Sequence, residues 1–149
     1  ANVMNFNSQI CTSREQSERL LALGLKAETA DMRYDCIGRM SDTEMIYREK
    51  PIIGPVISYY DIPAWSMHRL LCLIPEEVNI DGYRFPLRSD AVKCLDEADD
   101  MYEYLIGVLE RTIKEGYFPK EYLVNLTGTD SHQDMVDAFG YAMIAKKEE

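Results

Sequence analysis

VNIDGYRFP at residues 78–86 and DEADDMYEYLIGVLERTIKEG at residues 96–116 carry the two periodicities on which the fold turns. In the first, Asp81-Gly82 separates Val78-Asn79-Ile80 from Tyr83-Arg84-Phe85. A two-residue type I′ turn needs positive φ at both central positions, which Asp and Gly tolerate, so the segment predicts a β-hairpin. Pro86 has no N–H to give a ladder, so the second strand ends there or lies at an edge. In the second, Ala98, Met101, Tyr102, Leu105, Leu109, Thr112 and Ile113 recur at helical spacing and Gly116 stops the run, which predicts a helix over residues 96–115.

Working outward from there, Pro51, Gly54 and Pro55 punctuate the chain before Val56-Ile57-Ser58-Tyr59-Tyr60, whose β-branched and aromatic content predicts a strand. Asp61 and Pro63 then open a helix over residues 64–74, with Ala64, Met67, Leu71 and Ile74 on one stripe and Pro75 as its stop. Residues 32–37 and 43–48 are rich in Met, Tyr, Ile and Thr around Gly38, Ser41 and Asp42, and read as two antiparallel strands. Near the N-terminus, Thr12 with Glu15 and Ser13 with Gln16 each match a capping box, and Leu20, Leu21 and Leu23 follow before Gly24. With Gly24 left-handed, Leu25 packs back on Leu20.

Residues 117–130 are open to two readings, a helical turn from Pro119 or a strand through Tyr122-Leu123-Val124. A last helix starts after Asp130 or Ser131, with Met135, Val136, Phe139 and Met143 on its apolar face. No repeat or linker divides the chain, and the elements are too mixed for a βαβ succession. The expected architecture is one α+β domain over residues 1–149, an antiparallel sheet of short strands packed against about four helices, with residues 1–9 a candidate disordered segment.

Composition narrows the function classes. At 149 residues the chain can bury roughly two thirds of its unfolded surface and needs no staple to fold. No apolar run approaches the roughly 20 residues of a membrane helix, so no membrane association is expected. The N-terminus has neither the basic region nor the apolar core of a targeting peptide, although the chain does not begin with Met and a removed leader stays open. Cys11, Cys36, Cys72 and Cys94 are far apart, without a CxxC pair and without CxH or HxC spacing at His68 or His132, and read as reduced, mostly buried thiols. A net charge of −10 works against direct binding to nucleic acid or anionic membranes, which needs a positive field at the contact.

No catalytic residue, cofactor or metal site is expected. Asp96, Asp100 and Glu103 share one helical face, yet acids in a first turn are accounted for by the helix dipole. Trp65, His68 and Arg69 on adjacent turns offer an aromatic plate, a titratable ring and a fixed cation, and are the candidate binding residues; the plain alternative is three packed or capped side chains. Ser66 and His68 diverge on a helix and lack a nucleophile elbow. The polar run Gly128-Thr129-Asp130-Ser131-His132 matches no Walker loop or dinucleotide fingerprint and reads as ordinary capping. The following run, residues 132–138, resembles the last acidic motif of RNase H-like viral packaging nucleases, but only Asp61 offers itself as a partner acid for a two-metal centre.

The segment Cys11-Thr12-Ser13-Arg14-Glu15-Gln16-Ser17-Glu18-Arg19-Leu20-Leu21-Ala22-Leu23-Gly24-Leu25, continued by Thr29-Ala30-Asp31-Met32, resembles the opening of a family of small uncharacterised proteins of Bacteroides-type gut bacteria and their phages. Pro63-Ala64-Trp65-Ser66-Met67-His68-Arg69-Leu70-Leu71 resembles a second segment of that family. The resemblance implies a bacterial or phage cytoplasm and a mobile-element origin, and assigns no activity to named residues.

The leading expectation is a non-enzymatic accessory protein that binds another protein, on the absence of catalytic constellations and on ten Tyr and eight Met suited to contact surfaces. The alternatives are a ligand-binding domain or small enzyme with a pocket at Trp65, His68 and Arg69, and an acidic mimic of nucleic acid. A homodimer fits base rates.

Overall fold

The computed structural model describes residues 9–128. Ser13 caps the first helix, α1 (Arg14–Ala22): its side chain accepts the Gln16 N–H while the Gln16 side chain accepts the Ser13 N–H. Of the two capping boxes written in the sequence, this one forms. Gly24 adopts φ 93°, and the Leu25 N–H reaches the Leu20 carbonyl at 3.4 Å, which closes the helix as expected.

A short 3₁₀ turn (Ala27–Thr29) leads into β1 (Met32–Tyr34), then β2 (Cys36–Arg39) and β3 (Met45–Tyr47). The single strand expected over residues 32–37 is therefore two. The chain breaks at Asp35, whose carbonyl accepts the Arg48 N–H at 2.9 Å and whose carboxylate lies 3.3 Å from Arg48 Nε and 3.8 Å from Arg33 Nε. The break sends β2 to pair with β3, and β1 to pair antiparallel with β4 (Ile52–Ile53) on one side and β5 (Ile62–Ala64) on the other.

Residues 56–60 are not the expected strand. The Asp61 carboxylate accepts the Ile57 and Ser58 N–H groups at 3.3 and 3.2 Å, so these donors serve a side chain instead of a ladder. Strand structure falls on either side, in β4 and β5. The following helix also starts later than expected: α2 (Met67–Leu73) begins after Ser66, whose hydroxyl accepts the Arg69 N–H at 3.1 Å. Its buried face is Leu70 and Leu73, continued by Ile74, while Met67 and Leu71 are partly buried.

The hairpin forms as read, β6 (Val78–Ile80) against β7 (Tyr83–Phe85), with φ of 51° at Asp81 and 88° at Gly82. Next comes α3 (Leu87–Leu95), which the sequence reading did not resolve, and then α4 (Met101–Lys114), shorter than residues 96–115 because Asp100 caps it by accepting the Glu103 N–H at 3.1 Å. The ambiguous segment holds α5 (Lys120–Thr127), so its helical reading prevails, with Pro119 ahead of the first turn. The expected last helix and the run at 129–138 lie outside the described residues, as do residues 1–8.

The fold is thus α+β, but the antiparallel strands form three small sheets and not one, against five helices among the described residues. Strands of two to four residues, with the chain turned at Asp35 between β1 and β2, do not extend a common ladder. The core lies between helices: Tyr102, Leu105, Ile106, Leu109 and Ile113 of α4 pack against Leu20, Trp65, Leu70, Ala91 and Leu123 from the other elements. Burial of this apolar surface, at roughly 25 cal/mol per Å², is what holds α1, α2, α3 and α5 around α4. Arg19 of α1 adds contacts at the rim, 2.6 Å from Glu103 and 2.6 Å from Glu110, two turns apart on α4. Among the described residues no helix is long and apolar enough to cross a membrane.

Candidate functional site

Trp65 is not on a helix. It sits in the two-residue joint between β5 and α2 and is wholly buried. Its backbone N–H donates to Thr12 Oγ1 at 3.0 Å, its carbonyl accepts the Thr12 N–H at 2.8 Å, and its indole N–H donates to Thr29 Oγ1 at 3.0 Å. Arg69 Nε donates to the Thr29 carbonyl at 2.6 Å. Ser66 completes the joint by donating from its hydroxyl and its N–H to the Asp31 carboxylate at 2.6 and 2.9 Å.

The structure therefore brings Trp65 and Arg69 together on Thr29 and sets His68 apart, on the solvent face of α2. No face of the indole is open to a ligand. Thr12, Ser17, Thr29, Asp31, Trp65 and Ser66 come from the stretches that carried the family resemblance, and here they meet as one hydrogen-bonded knot that ties the start of the chain to α2. Nearly every polar atom in it is matched, which is the signature of a fold-specifying network.

The acids at 96–103 do not share one helix: Asp96 ends α3, whereas α4 begins only after Asp100. Asp100 caps α4, and Glu103 pairs with Arg19 and accepts from the Gln16 amide at 2.9 Å. Arg19, then Gln16, hold the Glu103 carboxyl below its ordinary range. Among the described residues no group of three or more His, Cys, Asp and Glu is arranged to hold a metal ion. The four thiols are free; Cys11 is buried, Cys36 and Cys94 are partly covered and Cys72 is exposed, so the expectation of mostly buried thiols holds fully for Cys11 alone. Burial, the largest influence, pushes the Cys11 thiol up in pKa, which makes it a poor nucleophile. An open cleft of about 550 Å³ between Glu76, Glu77, Pro86, Arg88, Val92 and Lys93 lies away from Trp65.

A feature that sequence reasoning missed is the surface formed by the β2–β3 hairpin and the loop 55–61. Large apolar side chains stand outward there: Tyr59 is 95% exposed, Ile57 73% and Met40 72%, and Ile53 on the edge strand β4 is 84% exposed. The backbone that presents them is held firmly. Asp61, with no exposed side-chain surface, accepts the N–H of Cys36 at 3.0 Å as well as those of Ile57 and Ser58, which binds loop to hairpin.

Arg33 lies beneath, its Nε 3.8 Å from both Asp35 and Asp61 and without a hydrogen-bond partner, while its Nη1 donates to the Pro55 carbonyl at 3.3 Å. Arg39 reaches across from β2 to the Tyr60 hydroxyl at 3.4 Å, with its guanidinium 5.6 Å from the ring centre. At the hairpin tip Ser41 Oγ accepts the Thr43 and Glu44 N–H groups. The signal in the sequence was the alternation of Ile and Tyr with Pro and Gly over 51–60, which reads equally well as a strand.

Comparison of the chain with known protein families, with curated proteins and with solved structures returns no match.

Proposed function

We propose that the protein is a non-enzymatic binding module that docks another protein on the β2–β3 hairpin and the loop 55–61. The observation that carries this reading is the outward display of Ile57 and Tyr59 on a loop fixed to β2 by the buried Asp61 carboxylate, with Met40 of the hairpin and Ile53 of β4 also exposed. Apolar side chains on a slack loop would fold back to reduce their contact with water; a loop pinned by three charge-assisted hydrogen bonds keeps them out. Large apolar side chains held exposed are a mark of contact sites when they gather on one face. Ile, Met and Tyr beside Arg39 have the composition of an interface centre, and pre-ordering the loop lowers the entropy lost on docking. A role as an accessory protein of a phage or mobile element accords with the resemblance of its first half to such proteins.

The test is affinity capture from a bacterial host lysate with the wild-type chain and an Ile57→Ser, Tyr59→Ser double variant, after circular dichroism has shown equal folding. A stoichiometric protein partner held by the wild type and lost by the variant is the expected result. Capture that is the same for both chains would reject this face as the docking site.

A further inference from the structure

His68 and Cys72 stand four residues apart on α2, so one helical turn places them side by side. Both are exposed, and His68 Nε2 lies 3.6 Å from Cys72 Sγ. A tetrahedral zinc-like ion bonds thiolate sulfur at about 2.3 Å and imidazole nitrogen at about 2.0–2.1 Å; at an angle of about 109° this sets the sulfur–nitrogen separation at roughly 3.5–3.6 Å. The pair already stands at that separation.

The backbone beneath the pair is anchored from two other helices. The Cys72 carbonyl accepts from Tyr122 Oη of α5 at 2.9 Å and from Arg88 Nη2 of α3 at 3.2 Å, and Arg88 Nε donates to the Ile74 carbonyl at 2.7 Å. The last turn of α2 is thereby held in place, and ligands on a fixed element lose less freedom when an ion binds. Among the described residues no third His, Cys, Asp or Glu joins the pair. The described residues of one chain accordingly offer two of the four ligands of a closed site. A two-fold related copy offers the same two, because an isologous interface presents each patch to itself.

We propose that His68 and Cys72 form half of a Cys2His2 site that binds a thiophilic divalent cation of the zinc type between two copies of this chain. On binding, the two thiols release one proton each to solvent, and two thiolates and two neutral imidazoles each donate a lone pair to the ion. The site is separate from the hairpin face and does not depend on the function proposed for that face.

The test is titration with Co²⁺ in the presence of a phosphine reductant, followed in parallel by absorption and sedimentation. Expected are the visible bands of tetrahedral cobalt and a near-ultraviolet thiolate charge-transfer band, saturating at one ion per two chains with a doubling of mass. Zn²⁺ should bleach the visible bands, and EDTA should restore the original mass. His68→Ala and Cys72→Ser should each lose both responses, whereas Cys36→Ser and Cys94→Ser should retain them. Because positions 68 and 72 are exposed, circular dichroism of the variants should match the wild type. No tetrahedral spectrum, saturation at one ion per chain without a change in mass, or a response that survives in His68→Ala and Cys72→Ser would overturn the proposal.

Discussion

Asp61→Asn replaces one oxygen by nitrogen at a site with no exposed side-chain surface. The carboxylate receives three backbone donors, Cys36 on Oδ1 and Ile57 and Ser58 on Oδ2. An amide has a single oxygen, so in either orientation its NH2 group faces at least one N–H, and that bond is lost. The surviving bonds become neutral ones of about half the strength, and Arg33 loses one of its two flanking carboxylates. With about 1.5–3 kcal/mol for each bond to a charged acceptor, the expected loss of stability is about 3 kcal/mol.

Trp65 is the single tryptophan and is wholly buried, so its fluorescence follows unfolding directly. With a slope of about 1.5 kcal/mol per molar urea, the midpoint should fall by about 2 M at unchanged slope. Amide hydrogen exchange should accelerate at Cys36, Ile57 and Ser58 before any change in the α4 core. A loss below about 1 kcal/mol with these three amides still protected would refute the reasoning that a buried carboxylate fixes the loop.

Three further outcomes are expected. Thr29→Val keeps the shape but strips the acceptor from the Trp65 indole N–H, and should cost about 1–3 kcal/mol in urea unfolding followed by fluorescence. Ser13→Ala removes the α1 cap and should cost about 1 kcal/mol, read as a fall in melting temperature by calorimetry. Arg19→Met should cost about 1 kcal/mol at pH 7, since its two ion pairs are partly exposed. Because the folded Glu103 pKa lies below its ordinary 4.5, the Glu103 share of that difference is complete above pH 4.5 and disappears as pH falls through the folded value; urea midpoints from pH 3 to 7 measure it.

Local chemistry was readable from the chain. The Ser13/Gln16 capping box, the Gly24 stop with Leu25 returning to Leu20, and the Asp81-Gly82 turn all depend on residues within a few positions of one another, and each formed as read. The mixed α+β character followed from the same local periodicities.

Partnership between distant segments was not readable. Leu87-Arg88-Ser89-Asp90-Ala91 has too few apolar positions to announce α3, which is held by burying Leu87 and Ala91 against the core. Asp61 looked like the start of a helix until three backbone donors, one from β2 and two from the loop 55–61, converged on it. Trp65 looked like a plate for a ligand, and Thr12 and Thr29, 53 and 36 residues away along the chain, claimed its polar atoms for the core.

The sequence by itself determined the caps, turns and helical stripes, because those are interactions over one helical turn or one tight turn. The tertiary structure alone decided that the strands divide into three sheets, that Trp65 is core, and that Met40, Ile57 and Tyr59 face water. Burial and the satisfaction of buried polar groups depend on which segments come together, and a periodicity read along one segment carries no record of its partner.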